Sequence, residues 1–278
     1  MKLYSIDTEN FKLDGGAMFG VVPKVMWQKI YPCDENNLCP WAMRLLLIDS
    51  GDRKILVDSG IGDKQDAKFM GNYHLFGEHT LAKSLAAHGF THDDITDVIH
   101  THLHFDHCGG SVKKVGEALV PAFPNANYWI SRRQWEWATN PNRREKASFL
   151  KENILPLQEH GKVKLVEEDG ELFPGISVQM HHGHTDGHMI VLVKYNEKTF
   201  VYMGDVFPAH VHIPIPFVMS YDTRPMLSLE EREKFLKEAI ENNYILIFEH
   251  DIDKESCTLQ MTEKGVRAKE FFKLKELL

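Results

Sequence analysis

Three histidines, a carboxylate and a thiol fall within seven residues, His102-Leu103-His104-Phe105-Asp106-His107-Cys108, followed by Gly109-Gly110. These side chains ligate metal ions, and glycines let a backbone turn around a small volume. On a regular strand His102, His104 and Asp106 share one face, and His107 points the other way unless the chain turns. That set suits two adjacent cations better than one. Four residues cannot fill two coordination spheres and leave a position open for water, so further ligands are required. Three later features offer them: His181-His182-Gly183-His184-Thr185-Asp186-Gly187-His188, Asp205 in Met203-Gly204-Asp205, and His250 in Phe248-Glu249-His250-Asp251. Each is weak alone, because an Asp or His at a strand end is more often a cap or a surface group. Together with the first cluster they describe a metal site.

All four features follow predicted strands. The pattern predicts strands over 43–48 and 54–57 joined as a hairpin, and a helix capped by Thr80 and stopped at Gly89. A strand over 97–100 runs straight into the first histidine cluster. Strands are expected over 128–130, 163–166, 176–180, 190–194, 199–203 and 244–248, the pair around 195–198 forming a second hairpin. Ser131 with Gln134 and Ser228 with Glu231 have capping-box spacing and open two helices. Trp135 and Trp137 on the first read as packing residues. The tail over 262–278 reads as helical. Strands in two groups, each followed by helices, indicate two β-sheets with helices outside, a layered α/β architecture.

Composition bounds the function. The 278 residues, 43% hydrophobic, support a packed core, and no repeat or linker divides them, so a single domain over 1–278 is expected. A formal charge of -8 disfavours broad contact with nucleic acid phosphates. No apolar run reaches the ~20 residues of a membrane span, so no membrane partner is expected. Four cysteines are too few for a disulfide scaffold, and the start MKLYSIDTEN lacks a secretory pattern, which together read as a cytoplasmic protein with reduced thiols. Cys33 and Cys39 are read as free, and Cys108 as a small packing residue rather than a ligand. Histidine is unusually frequent, with 16 residues against 16 phenylalanines.

His-x-His-x-Asp-His, a later Gly-His, a Gly-Asp after a strand and a final His resemble the metallo-β-lactamase superfamily over nearly the whole chain. The resemblance implies an αβ/βα four-layer sandwich of two mixed β-sheets flanked by helices, with a metal centre at one edge. Carried over residue by residue, it implies that His102, His104 and His184 hold one metal, that Asp106, His107 and His250 hold a second, and that Asp205 bridges both. Asp58, in Val57-Asp58-Ser59-Gly60, matches a position that supports the ligands. Zinc is the default cation, and iron, manganese or cobalt would use the same atoms.

Narrower stretches, including residues 14–24, Phe123-Pro124-Asn125-Ala126 and Met219-Ser220-Tyr221-Asp222, resemble the YtnP-type quorum-quenching lactonases and, more distantly, methyl parathion hydrolase. They imply opening of the N-acyl homoserine lactone ring by a hydroxide shared between two cations, with Asp106 passing a proton to the leaving oxygen. Many lactonases carry a tyrosine three residues after the bridging aspartate; here that position is Pro208, and His210 is the candidate to fill part of its role. His188 is a candidate hydrogen-bond partner of the ligands. Met18, Phe19 and Val22 read equally as the wall of an acyl pocket or as an N-terminal clasp or homodimer contact. Hydrolysis of a thioester or a phosphotriester by the same centre is the alternative chemistry. A non-catalytic metal module is disfavoured because all seven ligand positions are filled.

Overall fold

The computed structural model describes residues 1–278. The chain divides into two compact units: Met1–Glu9 with Met43–Glu168 and Leu278, and Asn10–Ala42 with Asp169–Leu277.

The first unit is built on a six-stranded sheet in the order Lys2–Asp7, Arg44–Asp49, Lys54–Val57, Asp97–Ile99, Asn127–Ser131, Val163–Val166. The first three strands are antiparallel neighbours and the remaining steps are parallel. Antiparallel neighbours need only a short turn, here 50–53, whereas parallel steps need crossovers. The crossover before Asp97–Ile99 carries the helix Leu81–Ala87, whose N-cap Thr80 accepts from the Lys83 N–H. The helix Arg132–Thr139 starts at Ser131, whose side chain accepts from the Gln134 N–H. Leu45, Leu47, Leu56, Val98 and Tyr128 are buried on one cluster with Leu85 and Leu157. Trp135 joins a second cluster with Leu103 and Cys108, which anchors the histidine-rich loop from below.

The second unit carries a seven-stranded sheet, ordered Gly170–Phe173, Ile176–His181, His188–Tyr195, Lys198–Tyr202, Ile245–Ile247, Ser256–Thr262, Gly265–Phe272. Its one parallel step, from Lys198–Tyr202 to Ile245–Ile247, is the one bridged by a long helix, Pro225–Glu241. A short ladder pairs Phe11–Asp14 with Leu38–Trp41. Above it sits an aromatic cluster: Phe19 stacks on Trp27 at 4.9 Å and on His212 at 5.3 Å, and Tyr31 stacks on Trp41 at 4.2 Å. Met18, Phe19 and Val22 are buried, and the Met18 carbonyl accepts from His212 Nε2 at 3.0 Å. Within this unit Met18, Phe19 and Val22 therefore pack against their own neighbours. No helix is long and apolar enough to cross a membrane.

Two expectations are corrected. The tail is a β-hairpin, Ser256–Thr262 with Gly265–Phe272, followed by one turn of 3-10 helix at Leu274–Glu276. Its Lys- and Glu-rich composition suggests helix, but Val266 and Ala268 alternate onto the core cluster of this unit, and packing overrides propensity. The long helix starts three residues before the expected cap, with Pro225 in its first turn. Ser228 is already inside it and turns its hydroxyl back to the Arg224 carbonyl, 3.4 Å away. The Glu231 side chain reaches away from the helix to another loop, as described below.

Two buried histidines make stability depend on pH. Burial lowers His181 from the usual 6.5 to about 3 and His212 to about 4. The unfolded chain binds these protons near 6.5 and the folded chain does not, so the stability is fully present above 6.5 and is lost as pH falls toward 4. Each histidine contributes a slope of up to about 1.4 kcal/mol per pH unit in that window. Denaturant titrations of chelator-treated protein should show His181→Leu flattening the slope; an unchanged slope contradicts the assignment.

Candidate metal centre

In the first unit the strand Asp97–Ile99 ends before the ligands begin. His102 lies in the loop, His104 is the N-cap residue of a one-turn helix, and that helix, Phe105–Cys108, carries Asp106 and His107. The helical turn, rather than strand alternation, brings His107 round to its neighbours. His102 Nε2 stands 3.0 Å from His104 Nδ1, and His107 Nε2 stands 3.7 Å from Asp106 Oδ2. All four are buried.

Asp58 organises this loop. Its carboxylate accepts from the Thr101 N–H at 2.8 Å, the Thr101 hydroxyl at 2.6 Å and His107 Nδ1 at 3.2 Å, with His100 Nδ1 at 3.4 Å. Burial alone would raise its pKa, but hydrogen bonds from His100 and His107 outweigh it and hold the group ionised well below the usual carboxylate range. The turn after Asp58 grips the far end of the loop. Ser59 donates its N–H to the His107 carbonyl at 2.7 Å, and the Gly110 N–H reaches the Gly60 carbonyl at 2.9 Å. Lys64 Nζ, lowered to about 8 by burial, donates to the Gly109 carbonyl.

Gly109 and Gly110 serve this grip through space rather than through backbone freedom, since Gly109 has ordinary helical angles. A Cβ on Gly109 would meet the Ile61 carbonyl oxygen at 2.0 Å, and one on Gly110 the Ser59 oxygen at 2.1 Å.

In the second unit His184 follows the strand Ile176–His181, Asp205 follows Lys198–Tyr202 and His250 follows Ile245–Ile247. Asp205 faces His184 Nε2 with Oδ2 at 3.2 Å and His250 Nε2 with Oδ1 at 3.1 Å, one oxygen to each ring. The Asp205 N–H donates to His188 Nε2 at 3.0 Å, which gives His188 a supporting place. Glu231 accepts from the His182 and Gly183 N–H groups, so the residue expected to close a capping box instead pins the loop that carries His184. Gly183 is required here, since its Cβ would meet Ser228 at 2.4 Å. His182 turns aside to Asp186, 3.2 Å away. His210 has its ring and its N–H on the Asp251 carboxylate, and its ring lies 5.1 Å from Phe271.

The hydrogen bonds around the histidines decide which ring nitrogen is bare. His107 Nδ1 donates to Asp58, His184 Nδ1 to Asp222 at 2.9 Å, His250 Nδ1 to the Ala42 carbonyl at 2.8 Å, and His104 Nε2 lies 3.4 Å from Glu145. The Thr101 hydroxyl gives its proton to Asp58, so His102 Nδ1 donates to it, at 3.1 Å. The nitrogens left over are bare acceptors, and they face one another or a carboxylate. Acceptors facing acceptors in a buried site repel unless each ring takes a second proton or a cation lies among them. Charging five buried imidazoles is costly, whereas neutral imidazoles and carboxylates are the donor set of a divalent transition metal. The residues fit the metal.

Sequence reasoning names seven candidate ligands and Asp58 but misses Glu145 and Asp222 as hydrogen-bond partners of His104 and His184. Neither stands in a motif with the ring that it holds: Glu145 is 41 residues from His104, and Asp222 is 38 residues from His184.

Three comparisons bear on this chain. The family model of the metallo-β-lactamase superfamily matches residues 45–250. An N-acyl homoserine lactonase of Bacillus thuringiensis is 28% identical over 236 residues, covering 80% of this chain and 85% of that protein. The crystal structure of a probable metal-dependent hydrolase from Staphylococcus aureus superposes with a TM-score of 0.89 at 31% identity, over 98% of this chain and 96% of that one. A dizinc quorum-quenching lactonase, AidC, solved with a bound product, shares the fold at a TM-score of 0.79 and 21% identity, over 98% and 95%.

Gly109→Ala should cost about 1–3 kcal/mol of stability through forced displacement of the ligand loop and should reduce bound metal per chain. Thermal melts and elemental analysis check it; a variant with parental melting and metal content contradicts the close-approach account.

Proposed function

The chain belongs to the metallo-β-lactamase superfamily and is a hydrolase of that superfamily, and from that premise we propose that it opens the ring of N-acyl homoserine lactones at a dinuclear metal centre. His102, His104 and His184 would hold one ion, Asp106, His107 and His250 the other, and Asp205 would serve both. The observation that carries this reading is Asp205, which offers one oxygen beside each of two bare histidine nitrogens, as a bridging carboxylate must. Zinc is the preferred cation for imidazole and carboxylate donors. Bound there, two divalent cations supply Lewis acidity and lower the pKa of water enough to make a nucleophile at neutral pH.

The protein's own groups then position and move protons. Asp106, in the first turn of its helix, is the carboxylate placed to take a proton from the attacking water and return it to the leaving alkoxide. An aromatic wall stands beside it, with Phe105 4.6 Å from Tyr73 and 5.3 Å from Phe69, and suits an apolar acyl substituent. The Tyr73 phenol, pushed up to about 12 by burial and by the Asp106 charge, stays protonated and can donate a hydrogen bond. His210 is assigned the part left open by Pro208: its ring Nδ1 and its N–H rest on the Asp251 carboxylate, which fixes the ring and leaves Nε2 to accept a hydrogen bond from the substrate. Lactonase relatives at 28% identity over most of the chain support the substrate class.

The reading is tested by metal analysis combined with hydrolysis of acyl homoserine lactones, a thioester and a phosphotriester. Lactone turnover with two metals per chain is expected, and cleavage of the thioester or phosphotriester without lactone turnover overturns it. Asp205→Asn should lower kcat/KM by about 100-fold or more; full activity would remove the bridging role. His210→Ala should lower kcat by about 100-fold, and an unchanged kcat would take His210 out of the mechanism.

A further inference from the structure

We propose that Glu145 and Asp222 are positioning residues that select the metal-binding nitrogen of His104 and His184, and that Trp137 and Asn142 hold Glu145 in that task. The inference rests on the metal-centre reading above and deepens it.

His104 illustrates the need. Each histidine has two nitrogens, and only the unprotonated one binds metal, so whatever accepts the other N–H decides which atom is presented. His104 is the one member of the set expected to present Nδ1, since Nδ1 is the atom turned toward His102 Nε2, 3.0 Å away. Its Nε2 points to Glu145 Oε1 at 3.4 Å. A carboxylate there accepts the Nε2 proton and leaves Nδ1 bare.

Glu145 is itself fixed from three directions. Its Oε2 accepts from the Trp137 indole N–H at 2.6 Å and from Asn142 Nδ2 at 2.6 Å, and its own N–H donates to Asn142 Oδ1 at 3.0 Å. Trp137 lies on the helix Arg132–Thr139, which packs on the same cluster as Leu103, the residue between His102 and His104. With its Oε2 held by the indole and the amide, this buried carboxylate turns its Oε1 toward the imidazole. The second unit repeats the device with different parts: Asp222 Oδ1 accepts from His184 Nδ1 at 2.9 Å, which leaves Nε2 toward Asp205. Asp222 and Glu145 share no motif, so the repetition lies in the chemistry.

The experiment compares Glu145→Ala, Glu145→Gln, Asp222→Asn and Trp137→Phe with the parent, beside His104→Ala as a control for the reading itself. Metal affinity is measured by competition with a chromophoric chelator, and the ligand field by the visible spectrum of the cobalt-substituted protein. Glu145→Ala and Asp222→Asn should weaken metal binding by about 10- to 100-fold and shift the cobalt bands. Glu145→Gln, which keeps an acceptor oxygen, should fall between Glu145→Ala and the parent. Trp137→Phe should move in the same direction by a smaller factor. Melting of the chelated forms separates positioning from folding: the metal-free Glu145→Gln and Trp137→Phe variants should melt with the metal-free parent. If His104→Ala loses metal while the Glu145 and Asp222 variants keep parental affinity and cobalt spectrum, the positioning roles are refuted and the metal-centre reading stands. If His104→Ala itself binds metal as the parent does, the metal-centre reading fails first.

Discussion

One buried carboxylate sets the geometry on which the histidine-rich loop depends. Asp58 sits at the end of the strand Lys54–Val57 with a positive φ of 60°. From there it collects donors from Thr101, His100 and His107. A charge with no exposure survives only when several donors meet it, and here those donors belong to the segment that carries the ligands. The same hydrogen bonds that keep Asp58 ionised therefore fix the loop's start, orient His107 and, through the Thr101 hydroxyl, determine which nitrogen of His102 is bare. The strained backbone at Asp58 is offset by that network.

The same logic extends along every ligand. Each imidazole is held at one nitrogen by an acceptor of the protein, and the acceptors differ: a carboxylate for His104, His107 and His184, a main-chain carbonyl for His250, a hydroxyl for His102. Regular elements supply the positions, since the ligands stand just beyond strand ends, where the backbone is free to turn and its edges are not committed to a ladder. Main-chain contacts supply the precision. Ser59 on the His107 carbonyl, Glu231 on the His182 and Gly183 N–H groups and His188 on the Asp205 N–H pin the three ligand loops within about a hydrogen-bond length of their supports.

Much of this was legible in the sequence, and the exceptions have physical causes. The hairpin at 50–53, the Thr80 and Ser131 caps and the strands that precede the ligands follow from alternation and capping chemistry, which are local. The hairpin 256–272 was hidden because its Lys- and Glu-rich strand resembles a helix by propensity, and only its alternation onto the core reveals it. Ser228 and Glu231 matched a cap by spacing, but Glu231 satisfies the N–H groups of a distant loop, a demand invisible from its neighbours. The candidate ligands are legible because they cluster in short motifs. Glu145 and Asp222 were not, because an acceptor for an imidazole N–H can come from any segment that the fold brings near. The short helix Phe105–Cys108 also escaped notice, and with it the reason His107 joins Asp106.

The proposed centre would hold two cations that share the Asp205 carboxylate. Diffraction from crystals of the metal-loaded protein, recorded on both sides of the absorption edge of the bound metal, tests it most directly. Two anomalous peaks per chain are expected, one at His102, His104 and His184, the other at Asp106, His107 and His250, with Asp205 bound to both. A single peak, or two peaks with Asp205 bound to only one, would contradict it.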